Sequence, residues 1–150
     1  MTGPLLVTLL LGLLLGCGGG NAATEQARKE KEFEQMLTGA TLVGKFTSKG
    51  SDKLHEDKYT ISKVTKVPAG IWLIHTRVQY GERDVTAPVP VKVVWAGDTP
   101  MITLTDAGIP GLGTFTARVL FYRNEYAGTW SSSKGHGGQM FGVIERGKTQ

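Results

Sequence analysis

Ile71–Tyr80 reads IWLIHTRVQY. Trp72, Ile74, Thr76, Val78 and Tyr80 share one parity, while His75, Arg77 and Gln79 fall on the other. Alternation with a period of two predicts a strand with one buried face. Gly113–Arg123 repeats the pattern: Phe115, Ala117, Val119 and Phe121 alternate with Thr114, Thr116, Arg118 and Tyr122. Extending this outward gives about eight strands, over 40–47, 56–67, 71–80, 85–95, 100–106, 113–123, 125–131 and 138–146. Short turn-forming stretches separate them, among them Lys49-Gly50-Ser51-Asp52, Pro68-Ala69-Gly70, Gly97-Asp98 and Arg123-Asn124. Links this short force antiparallel neighbours, because parallel strands need long crossovers. The expected fold is mainly β: an N-terminal helix, then an antiparallel meander forming a small barrel, closed or split, or a sandwich.

Two details refine that expectation. Pro88 and Pro90 have equal parity, so both lack the N–H that would bond the same neighbour. An interruption beside 87–91 is therefore predicted, as a split in the barrel or an open edge. In the last hairpin, a loop centred on Gly135 sets Tyr126 against Ile144, Gly128 against Gly142 and Trp130 against Met140. Facing glycines would leave a notch walled by these aromatic and aliphatic groups. A small ligand would fill it, since an eight-stranded barrel can hold one small molecule. A large side chain from across the barrel, such as Trp95 or Phe46, is the commoner filling.

Upstream of the strands the period changes. Asn21–Leu37, NAATEQARKEKEFEQML, has no Pro or Gly and a single β-branched residue, Thr24, which favours helix. Glu25/Lys29 and Arg28/Glu32 are i,i+4 pairs, and Gly39 stands where a left-handed terminator belongs. Ala27, Phe33, Met36 and Leu37 give a thin apolar stripe, so the helix over 21–37 reads as a mostly solvated stalk whose last turn docks on the body. Gly18-Gly19-Gly20 reads as a flexible spacer before it.

The N-terminus reads as an address. Leu5–Leu15, LLVTLLLGLLL, is eleven residues long, short of the roughly 20 needed to span a bilayer as a helix and suited to a signal-peptide core. It runs into Leu14-Leu15-Gly16-Cys17, which resembles the bacterial lipoprotein signal. That resemblance implies a diacylglycerol on the Cys17 sulfur, cleavage before Cys17 and acylation of the new N-terminus. The expected divisions are thus 1–16, removed as a signal; 17–39, anchor, spacer and helix; and 40–150, the barrel. MTGP carries no Lys or Arg, and an ordinary secretory signal or a buried helix with an incidental cysteine are the alternatives. Cys17 is the sole cysteine, which leaves no disulfide. Gly18, in place of aspartate after the lipidated residue, tilts the expected location towards the outer membrane.

The remaining 134 of 150 residues make one small domain. Its formal net charge of +4 is mild, and its lysines are dispersed among acids, so no nucleic-acid partner is expected. His55, His75 and His136 show no metal-ligand spacing. His55-Glu56-Asp57 reads as a solvated charged turn, with a cation site as the sharper alternative. Ser131–Gly138, SSSKGHGG, offers hydroxyls, a lysine and backbone N–H groups to an anion, but lacks the order of a phosphate loop and reads as a hairpin loop. Ile109 and Leu112, in Gly108-Ile109-Pro110-Gly111-Leu112-Gly113, suit a lid or contact patch, although a turn packed by its own side chains is the commoner arrangement. No catalytic residue, metal or cofactor is expected.

Trp95-Ala96-Gly97-Asp98-Thr99-Pro100, Ile109–Val119 and Tyr126-Ala127-Gly128-Thr129-Trp130 resemble an uncharacterised family of exported proteins of planctomycete-type bacteria, over about residues 40–146. That resemblance implies no activity. The helix followed by Leu42-Val43-Gly44-Lys45-Phe46 and a meander is loosely similar to lipocalin-like barrels, although the Gly-x-Trp of the lipocalin first strand finds its match only late, at Gly128-Thr129-Trp130. The expectation is a lipid-anchored, non-catalytic binding or scaffolding module on the periplasmic side of a membrane. Its candidate ligand residues are Tyr126, Gly128, Trp130, Met140, Gly142 and Ile144. An interaction module using the 85–91 edge and the 108–113 loop, and an envelope hydrolase using His136 or His75, are the alternatives.

Overall fold

A computed structural model describes residues 19–147. Helix α1 (Gly19–Leu37) precedes strands β1 (Ala40–Thr47), β2 (Leu54–Val67), β3 (Ile71–Tyr80), β4 (Arg83–Ala96), β5 (Thr99–Ile109), β6 (Gly113–Tyr122), β7 (Glu125–Ser132) and β8 (Gly137–Arg146). Each strand pairs antiparallel with the next, and β8 pairs with β1, so the meander closes into a barrel. The lipidation expected at Cys17 and the apolar run before it lie outside the described residues.

Inward parity follows the sequence. Trp72, Ile74, Thr76 and Val78 are buried along β3, and Val119 and Phe121 along β6. α1 closes one end of the barrel. Phe33 and Leu37 are fully buried, and Phe33 meets Trp72, Trp95 and Phe121 edge-on, at ring-centroid distances of 5.2, 6.2 and 6.4 Å. Gly19 and Gly20, the first described residues, are already helical rather than a flexible spacer. Thr24 Oγ1 donates to Gly20 O at 2.8 Å.

The C-terminus of α1 is stitched into an irregularity of β2. The β2–β3 register shifts between Ile61 and Lys63, leaving Ser62 as the bulged residue. Gly39, left-handed at φ 74°, donates its N–H to Ile61 O at 3.0 Å, and Val64 N–H donates to Thr38 Oγ1 at 3.3 Å. A bulge frees ladder groups, and here the helix terminus takes them. Lys66 Nζ reaches both carboxylate oxygens of Glu30, at 2.6 and 2.7 Å, and Lys29 donates to Gly97 O at 2.6 Å.

The closure corrects one sequence expectation in part. The barrel is not split, since β4 pairs with β3 through Pro88 and Pro90. The β4–β5 ladder, however, runs only from Ala96↔Thr99 to Lys92↔Thr103. Beside both prolines, no β5 residue stands in register to receive the missing donor. β5 turns away at an irregularity between Leu104 and Ala107, where Asp106 adopts φ 48°. The tip of the β5–β6 hairpin lies against β4 instead: a Cβ at Gly111 would stand 2.9 Å from a Val85 methyl.

Candidate functional site

Opposite α1 the barrel is open, and a cavity of about 510 Å³ runs inward from that mouth. Pockets of this order hold small molecules. Leu42, Ile61, Ile74, Val91, Ile102 and Val119 form much of the wall, with Leu37 of α1 towards the closed end. Phe46, Tyr80, Phe115 and Trp130 gather towards the mouth. Phe46 packs edge-on against Trp130 at 5.6 Å and Tyr80 at 6.0 Å. Ile109 and Leu112 line the mouth from the β5–β6 turn, and Arg83, Lys134 and His136 line it as well.

One charged group is buried in this wall. Asp57 is 4 % exposed. Tyr59 Oη donates to its Oδ2 at 3.0 Å and Tyr126 Oη to its Oδ1 at 3.1 Å. Burial pushes the carboxyl above its usual range, opposed by the two phenol hydrogen bonds and one from its own backbone. Burial, then the neighbouring carboxylate, raises both phenols, which therefore remain donors.

Tyr126 reaches Asp57 along a track cleared of side chains. The registers align Tyr126 with Gly142, Gly142 with Gly44, and Gly44 with Asp57, one row across β7, β8, β1 and β2. Three interstrand spacings amount to about 14 Å along the wall. A Cβ at Gly44 would stand 2.2 Å from Tyr126 Oη, and one at Gly142 2.8 Å from Tyr126 Cε1. Only glycine fits at either place.

This arrangement corrects the expected notch. The β7–β8 register is shifted by two, so Tyr126 faces Gly142, Gly128 faces Met140, and Trp130 faces Gly138. The cause lies in the turn: Gly135, at φ 81°, donates to Ser132 O and Ser132 N–H to His136 O, centring the loop on Lys134. Of the six candidate residues, Trp130 and Met140 line the cavity. Ile144 packs in the core with Phe33 and Leu37. Gly128 is pressed against β6, where a Cβ would stand 2.0 Å from Arg118 O. Tyr126 and Gly142 form the strut and its track, so the notch is filled by Tyr126 rather than by Trp95, Phe46 or a ligand.

The other polar candidates do not converge. In the 131–138 loop, the N–H groups of Ser132, Ser133 and Gly135 are all donated to carbonyls, so they are not free for an anion. His55 stacks on Phe46 at 5.2 Å, Glu56 is exposed, and Asp57 points inward, which dissolves the charged turn into two faces. His75 lies on the outward parity of β3. No group of three or more metal-ligating side chains occurs among the described residues. Asp57 and Gly44 were the residues missed, yet their signal was present: Asp57 shares parity with Tyr59 and Ile61, and Gly44 with Leu42 and Phe46.

With a helix-plugged, single-mouthed antiparallel barrel established, comparison with known proteins adds no relative. No family model matches the chain, and no match to it was found among curated proteins or solved structures.

Proposed function

We propose that this chain is a lipid-anchored protein of the bacterial cell envelope whose barrel holds a small apolar ligand without transforming it. The observation that carries the reading is the cavity of about 510 Å³, apolar in its walls, sealed at one end by Phe33 and Leu37 and open at the other. The anchor rests on Leu14-Leu15-Gly16-Cys17. No described helix is long and apolar enough to cross a membrane. Two or more acyl chains hold a protein stably to a bilayer, each buried methylene contributing about 0.8 kcal/mol.

Two measurements test this reading. Cells fed labelled palmitate should label the protein, and Cys17→Ser should abolish the label. Protein extracted gently from its membrane should carry a small-molecule mass in native mass spectrometry, and a bare barrel would overturn the ligand. A second reading, a docking module for another envelope protein, is favoured by the outer face of β6–β8. Leu120, Tyr122, Phe141 and Val143 are there 42–51 % exposed, and Leu120 and Phe141 both flank Ala127 in the ladder. In-cell cross-linking from Phe141, together with an empty interior, would establish it instead.

A further inference from the structure

The cavity wall has one gap in its hydrogen bonding. The β4–β5 ladder ends at Lys92↔Thr103, and Pro88 and Pro90 bring no N–H groups with which to resume it. The cavity reaches this gap from inside, since Val89 and Val91 line it from β4 and Leu104 and Ile109 from β5.

The far end of the β5–β6 hairpin is therefore held along one edge. Towards β7 its attachment is regular: Phe115 stands opposite Ser132, and Ser133 N–H donates to Thr114 O at 3.0 Å. Towards β4 it rests on van der Waals contact, with Gly111 so close that a Cβ there would stand 2.9 Å from Val85 Cγ1. Its roots are irregular. The β5–β6 register shifts between Leu104 and Ala107, Asp106 is left-handed at φ 48°, and Gly113 has φ 113°. Side chains of β6 hold the first root: Asp106 N–H donates to Thr116 Oγ1 at 2.9 Å, and the Arg118 guanidinium donates to Leu104 O at 2.6 Å and Thr105 Oγ1 at 2.9 Å. Hinges are a few residues at element ends that absorb backbone rotation. Between the roots, Ile109 and Leu112 line the cavity mouth. A segment paired on one side only opens at lower cost than the rest of the ring.

Resting on the ligand-binding reading above, we propose that residues 106–113 form a flap that swings away from β4 to pass the ligand and settles back on Val85 behind it. Entry and release use the same opening, so holding the flap shut slows both together and leaves affinity unchanged. Neither Val85 nor Gly111 lines the cavity, so their contact can be altered without touching the site.

The test bridges that contact. The Cβ at Gly111 would lie 3.9 Å from Val85 Cβ, within the roughly 3.5–4.5 Å that a disulfide spans. Val85→Cys and Gly111→Cys are introduced together in the mature chain with Cys17→Ser, which removes the competing thiol. Gly111 is left-handed at φ 78°, which strains a cysteine, so the oxidised and reduced forms of this one protein are compared. The probe is N-phenyl-1-naphthylamine, neutral and brighter in apolar surroundings, followed by stopped flow. Oxidation should slow association and dissociation alike by at least about tenfold, keep Kd within about twofold, and be reversed by dithiothreitol. Val85→Ala, which trims the surface under Gly111, should speed both rates severalfold. Equal rates in the oxidised and reduced forms overturn the flap and leave the cavity standing. If the cysteine pair does not fold, Val85→Ala decides alone, and parental rates in it overturn the flap. A parent that binds no probe overturns the cavity reading itself, and the flap with it.

Discussion

Asp57 is a carboxyl in a wall of aliphatic side chains, and two phenols are its side-chain partners. Burial is the largest influence on it and raises its pKa above the usual 3.8. The folded barrel therefore holds that proton more tightly than the unfolded chain does. Stability contributed at this residue falls as pH rises from about 3.8 through the raised native value, and the cost is complete above it. Asp57→Asn keeps an oxygen to accept from one phenol and has no charge to desolvate. Urea unfolding of both proteins between about pH 4 and pH 7 should show the variant gaining on the parent as pH rises, in the sense the linkage relation requires. A gap that moves the other way would contradict the burial-dominated shift. Asp57 was misread from sequence because local composition, His55-Glu56-Asp57, outweighed parity. Counting back from Ile61 through Tyr59 places it indoors, but a charge indoors is uncommon enough that the rule runs against the observation.

At the scale of elements, the strands were legible and the helix half so. Period-two patterning marked all eight strands, because one face of each is buried and the other wet. The thin stripe of Phe33, Met36 and Leu37 announced a docked last turn, but the sequence of α1 alone does not say that it docks as a plug. That depends on Trp72, Trp95 and Phe121 converging from three strands on one ring. The bulge at Ser62 was likewise hidden, since nothing in Ile61-Ser62-Lys63 distinguishes it from regular strand. Phe33→Ala should cost about 3–5 kcal/mol in chemical denaturation, the range for truncating a buried phenylalanine. The same variant should raise the fluorescence of an apolar dye as the closed end opens. A loss below about 1 kcal/mol would mean that the plug is dispensable.

Considered whole, the molecule is a ring with one thin place and one cross-brace. The thin place, where β4 runs past the end of its ladder with β5, was foretold by Pro88 and Pro90. Full closure was not, because no local pattern says whether the first and last strands of a meander meet. The cross-brace was missed through a register slip of two residues, set by the left-handed Gly135 in the last turn. Gly142→Ala should cost about 2–4 kcal/mol, from a methyl forced against Tyr126 and the β1 backbone together with a strained or lost Tyr126–Asp57 hydrogen bond. Thermal or urea unfolding measures it, and an alanine tolerated without loss would show the track to be roomier than its geometry states.

The brace crosses the β8–β1 seam, where the first and last strands of the meander come together. Its hydroxyl can find the carboxylate only once that last ladder has zipped and the paired glycines have come level. Shutting the ring and seating the phenol are therefore a single act. The barrel has a latch that cannot catch while the door stands ajar, and a nearly closed form gains nothing from it.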